Sequence, residues 1–291
     1  MKITLSKYAG FCEGVQRAYE IVEKAARDPK VKKPIFVLGS LVHNDEVVAK
    51  IEKMGIKKLE IEGSLENFFE KAKNEIGTLV ITAHGMGPEI YELVKKYGIE
   101  LVDTTCPRVI KVQRLAKIFS DRGFQIVIIG ERNHKEVIGI FQWGKSAAVF
   151  VETEAELSKL DLDPNREIAV LSQTTQDQKF IKRAAAHILE KYPKAEIVDS
   201  ICQATHNRQD EVVILAANND AIIVIGSLES ANSRRLWEVA RSVNESSFFV
   251  ALASQLDLRM FKDKKTIAVT AGASTPSWVI EDVLEKLKSL K

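Results

Sequence analysis

The sequence has few of the features that mark a disulfide-stabilised, membrane-spanning or nucleic-acid-binding protein. It contains only 3 Cys in 291 residues, a small, odd number that does not make a disulfide framework. No apolar run approaches the roughly 18 residues of a membrane-spanning helix. Lys and Arg (42) nearly balance Asp and Glu (40), for a net charge of +2, so no nucleic-acid or membrane partner is indicated. These absences predict a cytoplasmic protein with reduced thiols.

Several common functional motifs are also missing. The chain has no GxGxxG, HExxH or CxxC motif, so nicotinamide binding and a zinc ribbon are not indicated. It is 45% hydrophobic, as expected for a globular protein, and its 291 residues exceed a typical single core. The length predicts two or three domains.

Short β-branched runs alternate with amphipathic helical patterns along the chain. This alternation predicts an α/β fold with mostly parallel sheets. One helix is predicted over residues 109–119, just after Pro107, and another follows Pro276. Six runs are predicted as buried strands: Ile35–Leu38, Thr78–Thr82, Gln125–Ile129, Glu167–Leu171, Ala221–Ile225 and Thr266–Thr270.

An internal repeat divides the chain. Cys12, Cys106 and Cys202 recur at intervals of 94 and 96 residues. Each cysteine is followed by a strand that ends in glycine. A polar residue stands four positions after that glycine, and a second strand further along also ends in a polar residue. In order along the chain these residues are Gly39, His43 and His84; Gly130, His134 and Thr174; Gly226, Ser230 and Ser274. The repeat predicts three pseudo-threefold-related α/β domains, over 13–100, 101–199 and 200–291, with 1–12 completing the third.

The repeat places the three cysteines at equivalent points. Ligands of parallel α/β sheets bind beyond the carboxyl ends of the strands, so three units facing one centre would gather the three thiols. Three converging thiolates repel each other without a cation, which predicts a metal site. A zinc ion with an open coordination position and a cubane iron–sulfur cluster with one iron lacking a protein ligand both remain possible. The missing CxxC pair argues against a zinc ribbon, and ligands that come from separate domains suit a cluster.

Polar residues around the strand ends suggest an anion site and a proton donor. Hydroxyl, amide and imidazole groups near helix starts are typical of a diphosphate cradle. Glu136 lies two residues after His134 and is predicted to protonate a leaving hydroxyl, with Thr174 relaying the proton or binding the substrate. The predicted anion-binding residues are His43, His84, His134, Ser230, Asn232 and Ser274.

Many short motifs in the same order resemble the 4-hydroxy-3-methylbut-2-enyl diphosphate reductase (LytB-type) family, which completes the methylerythritol phosphate route to isoprenoids. The resemblance extends from Gly10 to Pro276. The motifs are Gly10-Phe11-Cys12, Val42-His43-Asn44, Ala83-His84-Gly85, Thr105-Cys106-Pro107, His134-x-Glu136-Val137, Gln173-Thr174-Thr175, Ile201-Cys202, Asn207-Arg208-Gln209 and Thr270-Ala271-Gly272-Ala273-Ser274.

The resemblance implies a trefoil of three α/β domains around one 4Fe–4S cluster per chain. Cys12, Cys106 and Cys202 would hold the cluster and leave one iron open. The substrate would lose its hydroxyl as water and give isopentenyl and dimethylallyl diphosphate. Glu136, Thr174 and His134 are implied to be catalytic. The implied substrate-binding residues are His43, His84, His134, Thr174, Ser230, Asn232 and Ser274.

The same resemblance implies a ferredoxin- or flavodoxin-type electron donor and a monomer or homodimer. Three positions depart from the family pattern: Ala231 replaces a serine, Lys135 replaces a proline, and Glu13 adds a carboxylate beside Cys12. The alternatives that remain are a tri-cysteine zinc hydrolase of a phosphorylated substrate, a divergent cluster-bearing paralogue and a cluster-bearing redox sensor without catalysis.

Overall fold

The computed structural model describes residues 1–145 and 148–290. Strands β1 to β12 are, in chain order, Lys2–Leu5, Ile35–Leu38, Lys57–Leu59, Thr78–Ile81, Glu100–Asp103, Gln125–Ile129, Ala148–Val151, Ile168–Ser172, Glu196–Ile197, Ala221–Ile225, Ser247–Val250 and Thr266–Ala271. Helices α1 to α11 are Glu13–Arg27, Asp45–Glu52, Leu65–Ala72, Pro88–Lys96, Pro107–Asp121, Lys135–Trp143, Glu154–Ser158, Gln178–Lys191, Gln203–Ala217, Ala231–Val243 and Ser277–Lys288.

The strands form three four-stranded sheets, and every strand pair in them is parallel. The strand orders are β3-β2-β4-β5, β7-β6-β8-β9 and β11-β10-β12-β1. The α/β fold with parallel sheets is therefore confirmed. Strand β1 pairs with β12 and completes the third sheet from the opposite end of the chain.

The six predicted strands are the two central strands of each sheet, found within one residue of the expected bounds. Central strands of a parallel sheet are buried on both faces, so their sequences are continuous apolar runs. The edge strands are missing from the prediction, and two of them, β3 and β9, are polar or only two residues long. Strand β3, for example, reads Lys-Lys-Leu and exposes both lysines.

The chain forms two compact units. The first comprises residues 1–16, 42–49 and 202–291 and contains the sheet β11-β10-β12-β1 with helices on both faces. Val283 of α11 joins the core on one face with Ile223. Val212 of α9 and Leu236 of α10 pack with Ile222 in the other core. The helix predicted after Pro276 is α11, which buries Val279, Ile280, Val283 and Leu287.

The second unit comprises residues 17–41 and 50–201 and contains the other two sheets. The sheet with β2 and β4 packs against α3 and α4. The sheet with β6 and β8 is covered by α5 and α6 on one face and by α7 and α8 on the other. The helix predicted over 109–119 is α5, with Pro107 in its first turn. The three-domain boundaries stay a prediction. None of the helices in the described residues is both long and apolar enough to cross a bilayer.

Candidate active site

The glycine that follows the first central strand of each sheet also pairs with the neighbouring edge strand. The amides of Gly39, Gly130 and Gly226 donate to the carbonyls of Leu59, Val151 and Val250 at 2.7, 3.0 and 3.0 Å. The chain then turns into the helix that follows. His134 and Ser230 are the N-caps of α6 and α10, and Asn44, next to His43, accepts the Val47 amide in α2 at 3.2 Å. The repeated residues therefore lie at helix starts.

Glu136 lies in the first turn of α6, in the second unit, and is 2% exposed. Its backbone amide donates to Nδ1 of the N-cap His134 at 3.2 Å. Thr174, just beyond β8, donates its amide to Oε1 at 2.6 Å and its hydroxyl to Oε2 at 3.0 Å. Glu136 is thus in direct contact with both of the other predicted catalytic residues, His134 and Thr174.

The environment of Glu136 makes its carboxyl a weaker acid than an ordinary glutamate. Burial raises the pKa of its carboxyl from 4.5 to about 7, against the opposing effect of the two Thr174 hydrogen bonds. A carboxyl with a pKa near neutral pH holds a proton under working conditions and releases it readily. Glu136 is therefore suited to general acid catalysis, whereas an ordinary first-turn glutamate is solvated and ionised.

His84 lies beside this group in the second unit. Its ring packs edge-to-face on His134, with ring centroids 5.5 Å apart. Its Nδ1 is 3.4 Å from the Thr82 hydroxyl. The carbonyl of Ala83, the preceding residue, accepts the Cys106 amide at 3.0 Å, so one strand end supports both the histidine and a cysteine.

The first unit brings together the other predicted anion-binding residues. The hydroxyl of Ser274 is 3.3 Å from the Ser230 hydroxyl and 3.3 Å from the His43 carbonyl. Asn232 accepts the Ala273 amide at 2.9 Å through Oδ1. These three polar residues of α10 and the β12 end are buried, and His43 is partly buried. Neutral donors at the start of α10 are suited to an anion.

Two glycines allow α10 to approach the strand ends in the first unit. Ser233 is fully buried, and a Cβ added at either Gly226 or Gly272 would collide with its Oγ. Both glycines follow central strands of the same sheet. The close approach brings the first turn of α10 directly over the sheet.

All three cysteines cap helix N-termini. The carbonyls of Cys12, Cys106 and Cys202 accept the amides of Gln16, Ile110 and His206 at 2.8, 3.0 and 3.1 Å. The thiols are partly buried and form no disulfide. Cys12 and Cys202 lie in the first unit and Cys106 in the second.

Arg208 belongs to one of the motifs quoted above, but no role was predicted for it. It is 4% exposed and lies on the face of α9 that also buries Thr205, Gln209 and Val212. Polar residues at helical spacing among apolar core positions are the sequence signal that would have identified it. A buried guanidinium close to two cysteines is the feature that sequence alone did not reveal.

The chain resembles known proteins along its whole length. Residues 3–288 match the family model described as LytB protein. A protein of Thermoanaerobacter sp. (strain X514) described as 4-hydroxy-3-methylbut-2-enyl diphosphate reductase is 37% identical over 100% of this chain and 98% of its own. A Helicobacter pylori (strain P12) protein with the same description is 34% identical over 100% of both chains.

Two solved structures of proteins with related names have the same fold. The E-1-hydroxy-2-methyl-but-2-enyl-4-diphosphate reductase of Plasmodium falciparum superposes with a TM-score of 0.88 and 31% identity, covering 98% of this chain and 87% of its own. A second structure, described as (E)-4-hydroxy-3-methyl-but-2-enyl diphosphate reductase, the terminal enzyme of the non-mevalonate pathway, has a TM-score of 0.69 and 30% identity, covering 99% and 100%.

Proposed function

This chain belongs to the LytB protein family, and we propose that it reductively removes the allylic hydroxyl of 4-hydroxy-3-methylbut-2-enyl diphosphate. Two electrons and two protons enter, one C–O bond breaks, and the hydroxyl leaves as water. The allylic fragment takes up its proton at either end, so isopentenyl and dimethylallyl diphosphate both form. The observation within the fold that best supports this chemistry is the buried Glu136, whose pKa is raised to about 7.

Glu136 would give its proton to the leaving hydroxyl, because a hydroxide ion is a poor leaving group and water is a good one. Thr174 holds both carboxyl oxygens, which fixes the direction in which the proton is delivered. His134 anchors the backbone of the same turn. Loss of the proton leaves a buried carboxylate, and the two Thr174 donors stabilise it until a proton is taken up again.

The diphosphate would be bound by neutral donors and histidines. In the first unit we assign this role to His43, Ser230, Asn232 and Ser274, which cluster at the start of α10. In the second unit we assign it to His84 and His134, with Thr174 contacting the substrate. Helix N-termini and hydroxyls bind phosphate oxygens well.

The cysteines fit an iron–sulfur cluster. They form no disulfide and lie at helix N-termini, and the buried cation Arg208 binds carbonyls two residues away from Cys12 and Cys202, so the donor set is suited to a negatively charged, thiolate-bound group. We propose that Cys12, Cys106 and Cys202 hold one 4Fe–4S cluster with one iron open. When bound, the cluster supplies the electrons and, at the open iron, a Lewis acid.

The reaction requires a partner that delivers electrons. We propose a small one-electron carrier of the ferredoxin or flavodoxin type, acting on a monomer or homodimer in the cytoplasm. A trefoil of three α/β domains, with the boundaries predicted above, belongs to the same proposal.

The three departures from the family pattern have different surroundings. Glu13 is exposed in the first turn of α1, so its charge is screened by water. Ala231 is buried at the start of α10 and offers no hydroxyl there. Lys135 is partly buried, and its Nζ lies against Gly39, so its side chain fills space beside a glycine that adopts a left-handed φ of 78°. None of the three removes a residue proposed to take part in catalysis.

An anaerobic assay tests the proposal. The reconstituted chain should contain about four irons with matching sulfide and should convert the hydroxylated diphosphate to both products with a chemical reductant. A colourless chain with one zinc would support the hydrolase. An intact cluster with unchanged substrate would indicate a paralogue with another substrate or a redox sensor, and either result contradicts the proposal.

A further inference from the structure

Helix α9 carries a charged residue on its buried face. Arg208 is 4% exposed, in line with the core residues Val212 and Ala216 of the same helix. Burying a guanidinium is costly unless its charge and its donors are compensated. Its surroundings therefore indicate what Arg208 is placed to bind.

Two of the Arg208 donors join separate segments of the chain. Nη2 donates to the Gly10 carbonyl at 2.7 Å, and Nη1 donates to the Ala204 carbonyl at 3.0 Å. Gly10 lies two residues before Cys12, and Ala204 lies two residues after Cys202. One planar side chain thus links the loop that carries one cysteine to the helix turn that carries another. Gly10 itself has a φ of 95°, a backbone conformation that glycine adopts without strain.

A second residue of α9 holds the other end of the same loop. Glu211, three residues beyond Arg208, accepts the Lys7 amide at 2.9 Å and the Tyr8 amide at 3.4 Å, and it accepts the Ser6 hydroxyl. Residues three apart lie on one helix face. Arg208 and Glu211 therefore fix the loop from Ser6 to Gly10 against α9, just before Cys12.

The charge and one donor of Arg208 remain only partly compensated. Burial lowers the pKa of the guanidinium, while the charges of Cys12, Cys202 and Glu211 oppose this decrease. Its Nε is buried and has no hydrogen-bond acceptor among residues 1–145 and 148–290. Buried donors in folded proteins nearly always have a partner, so this N–H indicates an acceptor that binds to the folded chain.

We propose that Arg208 is a positioning residue for the iron–sulfur cluster, which fixes Cys12 relative to Cys202 and offsets the negative charge of the cluster with its buried cation and its Nε–H. This inference rests on the proposed function, because that function supplies the cluster. Outer partners of metal ligands orient the ligands and tune the metal, and losing one typically costs 10- to 100-fold in metal affinity.

Three variants test the inference. Arg208→Met removes the charge and all the donors. Arg208→Lys keeps the charge but cannot bridge both carbonyls or replace Nε. Arg259→Met, which removes an exposed partner of Asp257, is the matched control. Each chain is reconstituted anaerobically, and iron loss to a ferrous chelator, the midpoint potential of the cluster and the thermal midpoint of the iron-free chain are measured.

We expect iron loss to be about 10- to 100-fold faster in R208M, with R208K intermediate and R259M equal to the wild type. The midpoint potential should fall in R208M and fall less in R208K, because loss of a nearby positive charge disfavours the added electron. A purely structural role would lower the thermal midpoint without this dependence on charge.

Wild-type rates of iron loss and an unchanged potential in R208M would overturn the inference. If R208M does not fold, R208K decides, since wild-type iron loss in that variant would overturn the inference equally. A wild-type chain that takes up no iron and sulfide contradicts the proposed function itself. If the wild-type chain takes up a full cluster and R208M and R208K match it in iron loss and midpoint potential, only the role of Arg208 is contradicted.

Discussion

Thr174 binds both oxygens of the Glu136 carboxyl, one through its backbone amide at 2.6 Å and one through its hydroxyl at 3.0 Å. The two residues are 38 positions apart in the chain, at a helix start and a strand end of the same unit. Burial withdraws the carboxyl from water and raises its pKa to about 7, while the two Thr174 hydrogen bonds hold the carboxyl in place and offset part of that rise.

Removing the acid should stop turnover and leave the rest of the site intact. Glu136→Gln keeps the side-chain shape but carries no transferable proton, and general acid catalysis contributes about 10²- to 10⁴-fold. We expect kcat to fall by at least about 100-fold with an unchanged cluster spectrum. The wild-type rate should decline above pH 7, as Glu136 with its pKa of about 7 loses its proton. Wild-type turnover in E136Q would exclude Glu136 as the donor.

The Thr174 hydroxyl should set the position of that decline. It donates to the ionised carboxylate and so lowers the pKa of Glu136. Thr174→Val removes the hydroxyl, raises the pKa of Glu136 and moves the alkaline limb of the pH–rate profile to higher pH. Thr174→Ser retains the hydroxyl and serves as the control. A limb at the same pH in both variants would contradict this assignment.

Glu136 should also make stability depend on pH. Its pKa is about 7 in the folded chain against 4.5 ordinarily, so the folded chain binds this proton more tightly. The resulting stabilisation is complete below pH 4.5 and is lost as the pH rises through 7. Relative to E136Q, the iron-free wild type should lose at most roughly 3 kcal/mol of unfolding free energy over this range. Chemical denaturation of both chains at several pH values measures the difference, and a constant difference would refute the prediction.

Asn232 should affect substrate affinity more than the chemical step. Asn232→Asp keeps the oxygen that accepts the Ala273 amide but replaces two donors with a group that repels a diphosphate. Hydrogen bonds to charged groups are worth about 1.5–3 kcal/mol, so KM should rise at least about 10-fold. Ser242→Ala, at an exposed position of the same helix, is the control. An unchanged KM in N232D would remove Asn232 from the anion site.

Gly272 should be needed for packing. A Cβ there collides with Ser233 Oγ, and overpacking a core typically costs about 1–3 kcal/mol. Gly272→Ala should lower the unfolding free energy of the iron-free chain by that amount, and the double variant G272A/S233A should recover part of it. Gly144→Ala is the control, because its added Cβ would make only ordinary contacts. Equal stability of G272A and G144A would contradict the close approach.

Much of the fold followed from the sequence because its informative features are local. The central strands are apolar on both faces. The pattern of a strand that ends in glycine, with a polar residue four positions after the glycine, recurs three times. Lys57-Lys58-Leu59 and the two-residue β9 carry no such local signal, since an edge strand is defined by its neighbour rather than by its own residues.

The candidate site was predictable as a set of residues but not in its energetics. His134, Glu136 and Thr174 were identified by motif and spacing, yet an isolated Glu136 in a first helical turn predicts an ordinary surface charge. Its raised pKa depends on burial beneath a strand end from elsewhere in the chain. The same is true of Arg208, whose contacts join residues almost 200 positions apart.

The sequence by itself determined the alternation of strands and helices, the repeat and the cysteines that precede three helices, because each of these depends on neighbouring residues. Only the tertiary structure decided the proton affinity of Glu136, the grouping of Ser230, Asn232 and Ser274, and the link that Arg208 makes between two cysteine-bearing segments. Desolvation and charge depend on which distant atoms surround a group, and that is fixed only when the sheets and helices pack.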